Sequence, residues 1–472
     1  MLAMLTASCY GSAFSIAELG TRAAGMGTAF IATADDPSAI FYNPAGIAFL
    51  PGRHMQMDAL AVVGLFRFTP SATPVDQVVP ANGYSGSIRP HFIPVASMYM
   101  TQQLTERMTF GFGVFVPFGL AANFTNFNDS DPALTKFVGR FAGTRAALQE
   151  YWFQPTLAYK ITPNMSFGVG PAVVHTHLFI EQSILNPLDD GLTFGRDAAN
   201  KFLPNLPVDE AAAILARLLP EGRSRVAGTA NEFGLSAGWL YFHPRSKTSF
   251  GLMYRSAVTN HLGGKASFAL GPATAIETYL PANFLYNAFP DQHVTGSFTT
   301  PATYGFGIAN SRFRNTTIEA DIRFQDYQRF NTVPLDFSIN NASNSDIAVD
   351  PEKRLAFNFH NSINLAFGAE KPIGRTMSLR LGFMWDKSPV PDQSVGPFFP
   401  DANRLSFTVG ATKKRGNRDF SLFYEAMRFE NRVTNVAAND DIYTNGAYRN
   451  FAHLAGIAVH FDLGESILFG RH

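Results

Sequence analysis

The sequence predicts an all-β protein that forms a transmembrane antiparallel β-barrel of about fourteen strands. Apolar and polar residues alternate with a period of two along much of the chain, and the breaks between these segments are alternately short and long. The composition combines 45 Phe and 39 Gly with only 16% charged residues. Strands that face lipid on one side and are joined by tight turns have this composition.

The alternation is clearest in "TTIEADIRFQDY", where polar and charged residues separate Ile318, Ile322 and Phe324. The same pattern recurs around Tyr151 and Leu381. In a soluble sandwich the apolar face packs on a second sheet, whereas in an outer-membrane barrel it faces lipid and the polar face lines the lumen. Periodicity alone leaves both open.

The breaks between the strands favour the barrel. Short turns at one rim and long loops at the other are typical of transmembrane barrels. Six short and seven long breaks predict fourteen strands, with both chain ends at the short-turn, periplasmic rim. The short breaks are Gln102–Arg107, Thr162–Asn164, His243–Lys247, Ser311–Asn315, Lys371–Arg375 and Lys413–Arg418. The long breaks lie around residues 67–90, 119–147, 181–228, 271–294, 328–355, 388–402 and 433–447.

The third long break contains "PVDEAAAILARLLPEG", in which Ala211, Ile214, Leu215 and Leu218 have helical spacing. We expect a short amphipathic helix there, either as a lid packed on the loops or as an apolar platform for an entering ligand.

The N-terminus has features of a targeting segment. Residues 1–13 are apolar and end in Gly-Ser-Ala, which predicts a shortened signal peptide cleaved before Phe14. The chain has one cysteine, Cys9, within this segment, so we expect neither a disulfide framework nor a cysteine metal site. A lipoprotein anchor at Cys9 is the less favoured alternative. At the other end, "FAHLAGIAVHF" has the pattern of a final barrel strand.

Other function classes find little support. The 37 basic and 37 acidic residues cancel, so no net charge attracts nucleic acid. "GTRAAGMG" imitates a nucleotide-binding loop, but no strand precedes it. His175 and His177 share a strand face without an evident third metal ligand. Neither an enzyme nor a bound cofactor or metal is expected.

Five segments spread over nearly the whole chain carry a family resemblance: "AELGTRAAGMGTAFIATADDPSAIFYNPAG", "VFVPFGLAANF", "LMYRSAVTNHLGGKASF", "DIRFQDYQRF" and "GFMWDKSPVPD". On these segments the sequence resembles the FadL-type outer-membrane transporters for hydrophobic compounds, which include long-chain fatty acid channels and toluene-type aromatic hydrocarbon channels. The resemblance implies a fourteen-stranded barrel in a bacterial outer membrane, plugged by an N-terminal hatch in the lumen. The expected parts are signal peptide 1–13, hatch 14–54, barrel 55–461 and a C-terminal extension 462–472.

The resemblance also implies passive uptake, with the ligand leaving sideways into the membrane through a gap beside a kinked strand. The third strand contains Gly111, Gly113 and Pro117, and proline in a strand removes a hydrogen-bond donor. An ordinary bulge at the rim is the alternative. We interpret the hatch segment Asn43, Pro44, Ala45 and Gly46 as a rigid turn that acts as a gate.

Long-chain fatty acids are the first-choice ligand, because basic residues of the wall would meet their carboxylate. "VVHTHLFIEQSIL" and "NTVPLDF" contain no Lys or Arg, so the candidates are Arg140, Arg145 and Arg255. Phe41 and Tyr42 form either the pocket floor or a small core of the hatch. The alternatives are a channel for neutral aromatic hydrocarbons and a structural or receptor barrel. The expected surroundings are outer-membrane lipid and lipopolysaccharide, around a monomer.

Overall fold

The computed structural model describes residues 13–71, 86–87, 93–124, 138–184, 203–218, 222–270, 278–279, 289–338, 352–435 and 444–464. The expected signal peptide, apart from Ala13, and the end of the expected C-terminal extension lie outside the described residues. Twenty strand segments form one antiparallel sheet. They are β1 (Arg53–Pro70), β2 (Gly86–Ser87), β3 (Ile93–Gln103), β4 (Met108–Asn123), β5 (Arg145–Thr162), β6 (Met165–Ile184), β7 (Gly222–His243), β8 (Thr248–Arg255), β9 (Val258–Leu270), β10 (Gln292–Thr300), β11 (Thr303–Asn310), β12 (Thr317–Gln325), β13 (Thr332–Phe337), β14 (Glu352–Ala356), β15 (Ser362–Ile373), β16 (Met377–Asp386), β17 (Arg404–Arg415), β18 (Arg418–Phe429), β19 (Arg432–Val433) and β20 (Gly446–Asp462).

The sheet closes into a barrel because β1 pairs with β20 along its length as well as with β3. Fourteen passes of the chain form the wall. Four of these passes are divided into a lower and an upper segment: β8 and β9, β10 and β11, β12 and β13, and β14 and β15. The predicted fold class, an antiparallel barrel of fourteen strands, is confirmed.

The six predicted short turns all join paired strands at one rim, and the described strands that flank the seven long connections end at the other. Strands extend further into the predicted loops than the sequence suggested: β6 ends at Ile184, and β7 begins at Gly222. The outward side chains of this extra wall include Arg223 and Arg225, which are exposed. On the outward face of this extra wall, polar residues replace the apolar ones. The alternation of polar and apolar residues that predicts a strand therefore ends before the strand does.

Exposure of the side chains separates the barrel from a soluble sandwich. On β12, Ile318 is 52% exposed, while Asp321 on the opposite face is 4% exposed. Leu381 and Phe407 on neighbouring strands are likewise exposed, and Arg380 is buried. Apolar residues therefore face outward and charged residues face the interior, which is the pattern of a barrel in lipid.

Among the described residues, three short helices accompany the barrel: α1 (Thr21–Ala24), α2 (Ala39–Tyr42) and α3 (Val208–Leu218). Helix α3 confirms the predicted helix in the third long connection. No helix in the described part of the chain is long and apolar enough to cross a membrane. Single 3-10 turns are formed by Pro44–Phe49, Val138–Phe141, Tyr327–Arg329 and Asp392–Ser394.

Residues 13–52, here called the N-terminal segment, lie inside the barrel. Inward-facing glycines of the wall allow the close approach. A Cβ atom on Gly168 would lie 2.4 Å from the carbonyl carbon of Pro44, and one on Gly382 would lie 2.0 Å from the amide nitrogen of Gly27. Any larger residue would collide with backbone, so these positions fix where the segment sits.

Candidate ligand-binding site

The start of the N-terminal segment adds a short strand contact to β4 from inside the barrel. The amide of Ile16 donates to the carbonyl oxygen of Pro117 at 2.8 Å, and the amide of Gly119 donates to the carbonyl oxygen of Phe14 at 2.7 Å. Ser15 and Phe118 form an isolated bridge between them. This contact lies at the bulge of β4, where its register against β5 shifts between Phe115 and Phe118.

The bulge also changes which side chains face the lumen. Phe115 faces inward below it, and Phe118 and Leu120 face inward above it. An extra residue in one strand shifts the alternation by one position. On its other side, β4 pairs with β3 only from Thr109 to Val114, and no ladder pair joins the described residues of these strands above that point.

Only one of the three predicted kink residues lies at the irregular part of β4. Pro117 lies in the bulge, beside the interruption of the β3–β4 pairing. Gly111 and Gly113 lie below it, in the regularly paired part, so the kink is not at the glycines. Their missing side chains make room for Ile40 and Ile47 of the N-terminal segment. In sequence, a glycine that kinks a strand and one that admits a neighbouring residue look the same.

The predicted gate residues form a buried, fully bonded turn. The Asn43 side-chain amide donates to the carbonyl oxygens of Ile31 at 2.8 Å and Trp239 at 3.0 Å, and its oxygen accepts from the amide of Ala45 at 3.2 Å. Asn43 thus caps the 3-10 turn that begins at Pro44. A Cβ atom on Gly46 would lie 2.1 Å from the carbonyl oxygen of Ala34, so only glycine fits there.

A small cavity lies between part of the N-terminal segment and the wall. Phe41 and Tyr42 line it from the segment and also belong to the buried hydrophobic core, so both of the roles left open by the sequence are present. Phe118 and Met253 line the cavity from the wall. Three arginines also line it: Arg255, Arg323 and Arg404. The last two were not among the candidates from the sequence. Both arginines lie on the polar, inward face of strands in which polar and apolar residues alternate. That position in the pattern is the sequence signal by which they could have been found.

Arg255 is the cation of this cavity without a carboxylate counter-ion. It is 3% exposed, and its guanidinium donates to the carbonyl oxygen of Phe41 at 2.5 Å. The guanidinium carbon lies 4.2 Å from the ring centroid of Phe41 and 5.5 Å from that of Trp152. Its Nε has no hydrogen-bond partner among the described residues. The nearby buried carboxylate of Glu150 acts on its charge without forming an ion pair with it. The site therefore holds a buried positive charge with an unused donor.

The other two arginines are differently occupied. Arg404 Nε donates to Asp386 at 3.1 Å, and its Nη1 lies 3.6 Å from an oxygen of Asp401. Arg323 donates to Asn364 at 2.9 Å and to the hydroxyl of Thr28 at 2.8 Å. Arg404 is thus neutralised by acidic residues, and Arg323 is bonded to both the wall and the N-terminal segment.

Glu18 adds a titratable group to the N-terminal segment. It is buried, one carboxylate oxygen accepts from the amide of Ala17 at 3.0 Å, and the other has no partner among the described residues. Burial raises the pKa of Glu18 to about 7; Arg404 opposes this shift and Asp386 adds to it. Glu18 therefore changes charge within the neutral pH range.

A second small cavity lies on the long-loop side and is lined only by apolar residues. Leu120, Leu148, Phe298, Phe330 and Phe399 are among them. Phe14 stands between the two cavities. Its ring centroid is 5.8 Å from that of Phe118 in the first cavity and 4.9 Å from that of Phe330 in the second. The Phe14 ring thus separates the first cavity, which is lined partly by polar residues, from the apolar second cavity.

Two candidate arginines from the sequence lie elsewhere. Arg140 packs over the ring of Phe141, and Arg145 packs over the ring of Phe179. Neither lines either cavity. Of the five pocket candidates, the structure brings together only Phe41, Tyr42 and Arg255.

The histidine pair considered as a metal site has another partner. His175 Nδ1 lies 2.8 Å from the side-chain oxygen of Asn231. Among the residues that the structure describes, no three His, Cys, Asp or Glu side chains are grouped so that they could hold a metal ion.

Comparison with known proteins agrees with this architecture. Residues 2–453 match the model of the family described as outer membrane protein transport protein (OMPP1/FadL/TodX). The chain belongs to this family. It is therefore an outer-membrane protein of a family that transports hydrophobic compounds. A putative outer membrane protein of Neisseria meningitidis serogroup B is 25% identical over 471 residues, which cover 96% of this chain and 95% of that protein.

Two further relatives and two solved structures extend the comparison. Outer membrane protein P1 of Haemophilus influenzae is 23% identical over 85% of this chain and 83% of its own length, and the 47 kDa outer membrane protein of Pasteurella multocida is 24% identical over 87% and 86%. A Pseudomonas aeruginosa FadL homologue superposes with a TM-score of 0.75 at 16% identity, covering 96% of this chain and 100% of that one. The Ralstonia pickettii toluene transporter TbuX superposes with a TM-score of 0.64 at 18% identity, covering 94% and 98%. The two superpositions show a shared fold.

Proposed function

We propose that this outer-membrane protein takes up long-chain fatty acids passively, with the carboxylate held at Arg255 and the alkyl chain in the apolar cavity. The observation that carries this proposal is the buried guanidinium of Arg255, which lacks a carboxylate partner among the described residues and lines the cavity. A neutral ligand would leave that charge uncompensated. A ligand carboxylate would pair with it through a charge-assisted hydrogen bond.

Hydrophobic transfer supplies the driving force. Moving an alkyl chain out of water stabilises the bound state by about 0.8 kcal/mol for each buried CH₂ group. The aromatic and aliphatic lining of the second cavity suits such a chain. Displacement of Phe14 would join the two cavities, because its ring separates them. No energy source is required, since the membrane beyond is also apolar.

In this proposal the N-terminal segment is the hatch, and Asn43 to Gly46 form the turn that holds it. The ligand leaves sideways, through the interruption between β3 and β4 beside Pro117. The outer face meets outer-membrane lipid and lipopolysaccharide, and the protein acts as a monomer.

Binding to the purified protein tests the role of Arg255. Arg255→Met keeps a side chain of similar length but removes the charge. We expect roughly 10- to 100-fold weaker oleate binding, since a hydrogen bond to a charged group contributes about 1.5–3 kcal/mol. Toluene binding should be unchanged. Arg145→Met is the matched control because Arg145 lines neither cavity. Equal loss in both variants, or none in Arg255→Met, would contradict the proposal.

Transport of neutral aromatic hydrocarbons is the second candidate, and the phenylalanine-rich lining of the apolar cavity favours it. It predicts tight toluene binding that Arg255→Met does not change, together with weak oleate binding. A structural or receptor barrel predicts that deleting the protein does not slow uptake of labelled oleate or toluene by intact cells. Uptake and binding together therefore separate the three functions.

A further inference from the structure

The barrel wall has a second interruption, between β7 and β9. β7 pairs with β8 from Ser236 to His243 and with β9 from Gly222 to Thr229. Residues 230–235 of β7 form no ladder pair on this side, although β7 pairs with β6 throughout its length. The wall is therefore continuous on one side of β7 and incomplete on the other.

Side chains bridge the two ends of this interruption. At the upper end, Glu232 accepts from the amide of His261 at 3.1 Å and lies 2.9 Å from its ring Nδ1. At the lower end, the amide of Leu235 donates to the Ser256 hydroxyl at 2.9 Å, and the Ser256 amide donates to the Leu235 carbonyl oxygen at 2.8 Å. Phe233 and Gly234 remain between them, opposite residues 258–260. At about 3.3 Å for each strand residue, the open stretch is roughly 10 Å long.

An indole ring closes this stretch from the lumen. Trp152 is completely buried, and a Cβ atom on Gly234 would lie 2.6 Å from its ring. On the outside, Phe233 is 82% exposed. The wall at this point thus consists of one glycine backbone with a tryptophan ring behind it.

The indole is held by a link that spans the interruption. Trp152 Nε1 donates to one carboxylate oxygen of Glu150 at 2.7 Å, and the Asn260 side-chain amide on β9 donates to the other at 3.3 Å. Glu150 therefore ties the ring on β5 to the far edge of the opening on β9. Breaking either bond would free the ring or the edge.

Arg255 connects this ring to the ligand cavity. Its guanidinium lines the cavity and lies 5.5 Å from the Trp152 ring centroid. Phe115, at the β4 bulge, stacks against the same ring at 6.3 Å. The ring that covers the β7–β9 interruption is therefore one residue away from the cavity.

We propose that the β7–β9 interruption is a second lateral exit for hydrophobic ligands from this cavity. The Trp152 side chain blocks this exit in the closed state. The proposal rests on the proposed transport function. Rotation of the indole away from Gly234 would connect the cavity with the lipid beside Phe233. Glu150 stabilises the closed state because its carboxylate accepts hydrogen bonds from both the Trp152 ring and Asn260.

The test first closes the β4 route by deleting Pro117, which removes the extra residue of the bulge and restores a regular register. In this background Cys9 is replaced by serine, so that no native thiol competes. Cysteines are then introduced by Phe233→Cys and Thr259→Cys, and a short, reducible bis-thiosulfonate linker joins them. Oleate uptake is measured in liposomes containing the purified protein. We expect uptake to persist after the deletion, to be lost on cross-linking and to return on reduction. Trp152→Ala should increase the persisting uptake.

The matched control joins Thr229→Cys and Gly263→Cys, which face each other in the paired part of the same two strands. This cross-link should not change uptake. The second exit is contradicted if deletion of Pro117 alone abolishes uptake while oleate still binds, or if both cross-links have the same effect. A wild-type protein that neither binds oleate nor accelerates its uptake would instead contradict the transport function itself.

Discussion

Two halves of the N-terminal segment are held by different wall groups, mainly carboxylates in the first half and mainly neutral side chains in the second. In residues 21–36, backbone amides donate to carboxylates of the wall. The amide of Thr21 donates to Asp58 at 2.7 Å, those of Phe30 and Ile31 donate to Asp321 at 2.8 and 3.1 Å, and that of Ala32 donates to Glu319 at 2.6 Å. Buried acidic side chains therefore anchor this half.

In residues 37–50, wall side chains donate to carbonyl oxygens of the segment, while Asn43 donates in the other direction to the carbonyl oxygen of Trp239. The carbonyl oxygen of Ile40 accepts from the side-chain amide of Gln154 at 3.1 Å, and that of Ala45 accepts from the hydroxyl of Ser166 at 2.8 Å. Arg255, which bonds to the carbonyl of Phe41, is the charged donor of this half. Most of its other bonds to the wall are between neutral groups.

The difference indicates which half can move. Hydrogen bonds to charged groups are about twice as strong as neutral ones, and a buried carboxylate without its donors is costly. Residues 21–36 therefore form the fixed base. Residues 37–50, which carry Phe41 and Tyr42 into the cavity, can be displaced at lower cost. A ligand that takes Arg255 would remove one of their bonds to the wall.

The strongest test of the fixed base is Asp321→Ala. The change leaves the amides of Phe30 and Ile31 without an acceptor and removes the acidic neighbour of Arg323. We expect a loss of about 3–5 kcal/mol in local stability, as for other broken buried ion pairs. Amide hydrogen exchange across residues 28–33 should accelerate by roughly 100-fold or more. Asp336→Ala, at an exposed carboxylate of β13, is the control. Equal exchange in the two variants would refute the anchoring role.

Glu18 makes the attachment of the segment's first residues depend on pH. Its pKa is raised to about 7 in the folded protein from 4.5, so the stabilisation is complete below pH 4.5 and is lost as the pH rises to 7. The difference amounts to roughly 3 kcal/mol. Glu18→Gln should remove it and leave the segment more stable than wild type at pH 8. The pH-dependent stabilisation is measured by amide hydrogen exchange near Ile16. The exchange rate of the variant is divided by that of the wild type at pH 5 and again at pH 8. A ratio independent of pH would count against it.

The turn at Asn43 tests the half that we consider movable. Asn43→Ala removes two donated hydrogen bonds and one accepted bond, which we expect to cost about 2 kcal/mol. Exchange in residues 37–50 should rise, and oleate uptake should change while the barrel still assembles. Heat-modifiable gel migration reports assembly. Asn43→Ser, whose hydroxyl can still accept from the Ala45 amide at the start of the 3-10 turn, should have a smaller effect. Failure to insert would give this turn a purely structural role.

The smallest expected effect is that of Ser166→Ala. It removes one neutral hydrogen bond to the carbonyl oxygen of Ala45, and the expected cost is about 1 kcal/mol. Exchange should accelerate only around Ala45. Ser297→Ala, on the outward face of β10, serves as the control. An effect as large as that of Asp321→Ala would remove the distinction between the two halves.

Much of the barrel could be predicted from the sequence because its signals are local. Turn residues mark the short rim, and the period of two assigns Asp321 and Arg323 to the face opposite Ile322. The pocket was predicted only in part. Phe41, Tyr42 and Arg255 do line the cavity, whereas Arg140 and Arg145 do not. Residue type identifies a cation, but it does not give the direction in which the side chain points once a long connection intervenes.

The sequence by itself determined the strand order, the two rims and the polar interior, since each depends on residues within one strand or turn. The tertiary structure decided which interior groups meet. Asp321 and Phe30 are 291 positions apart in the chain, and only closure of the barrel around the N-terminal segment joins them. The interruptions beside β4 and β7 likewise depend on the register between strands. Register is a relation between segments, and no single stretch of sequence carries it.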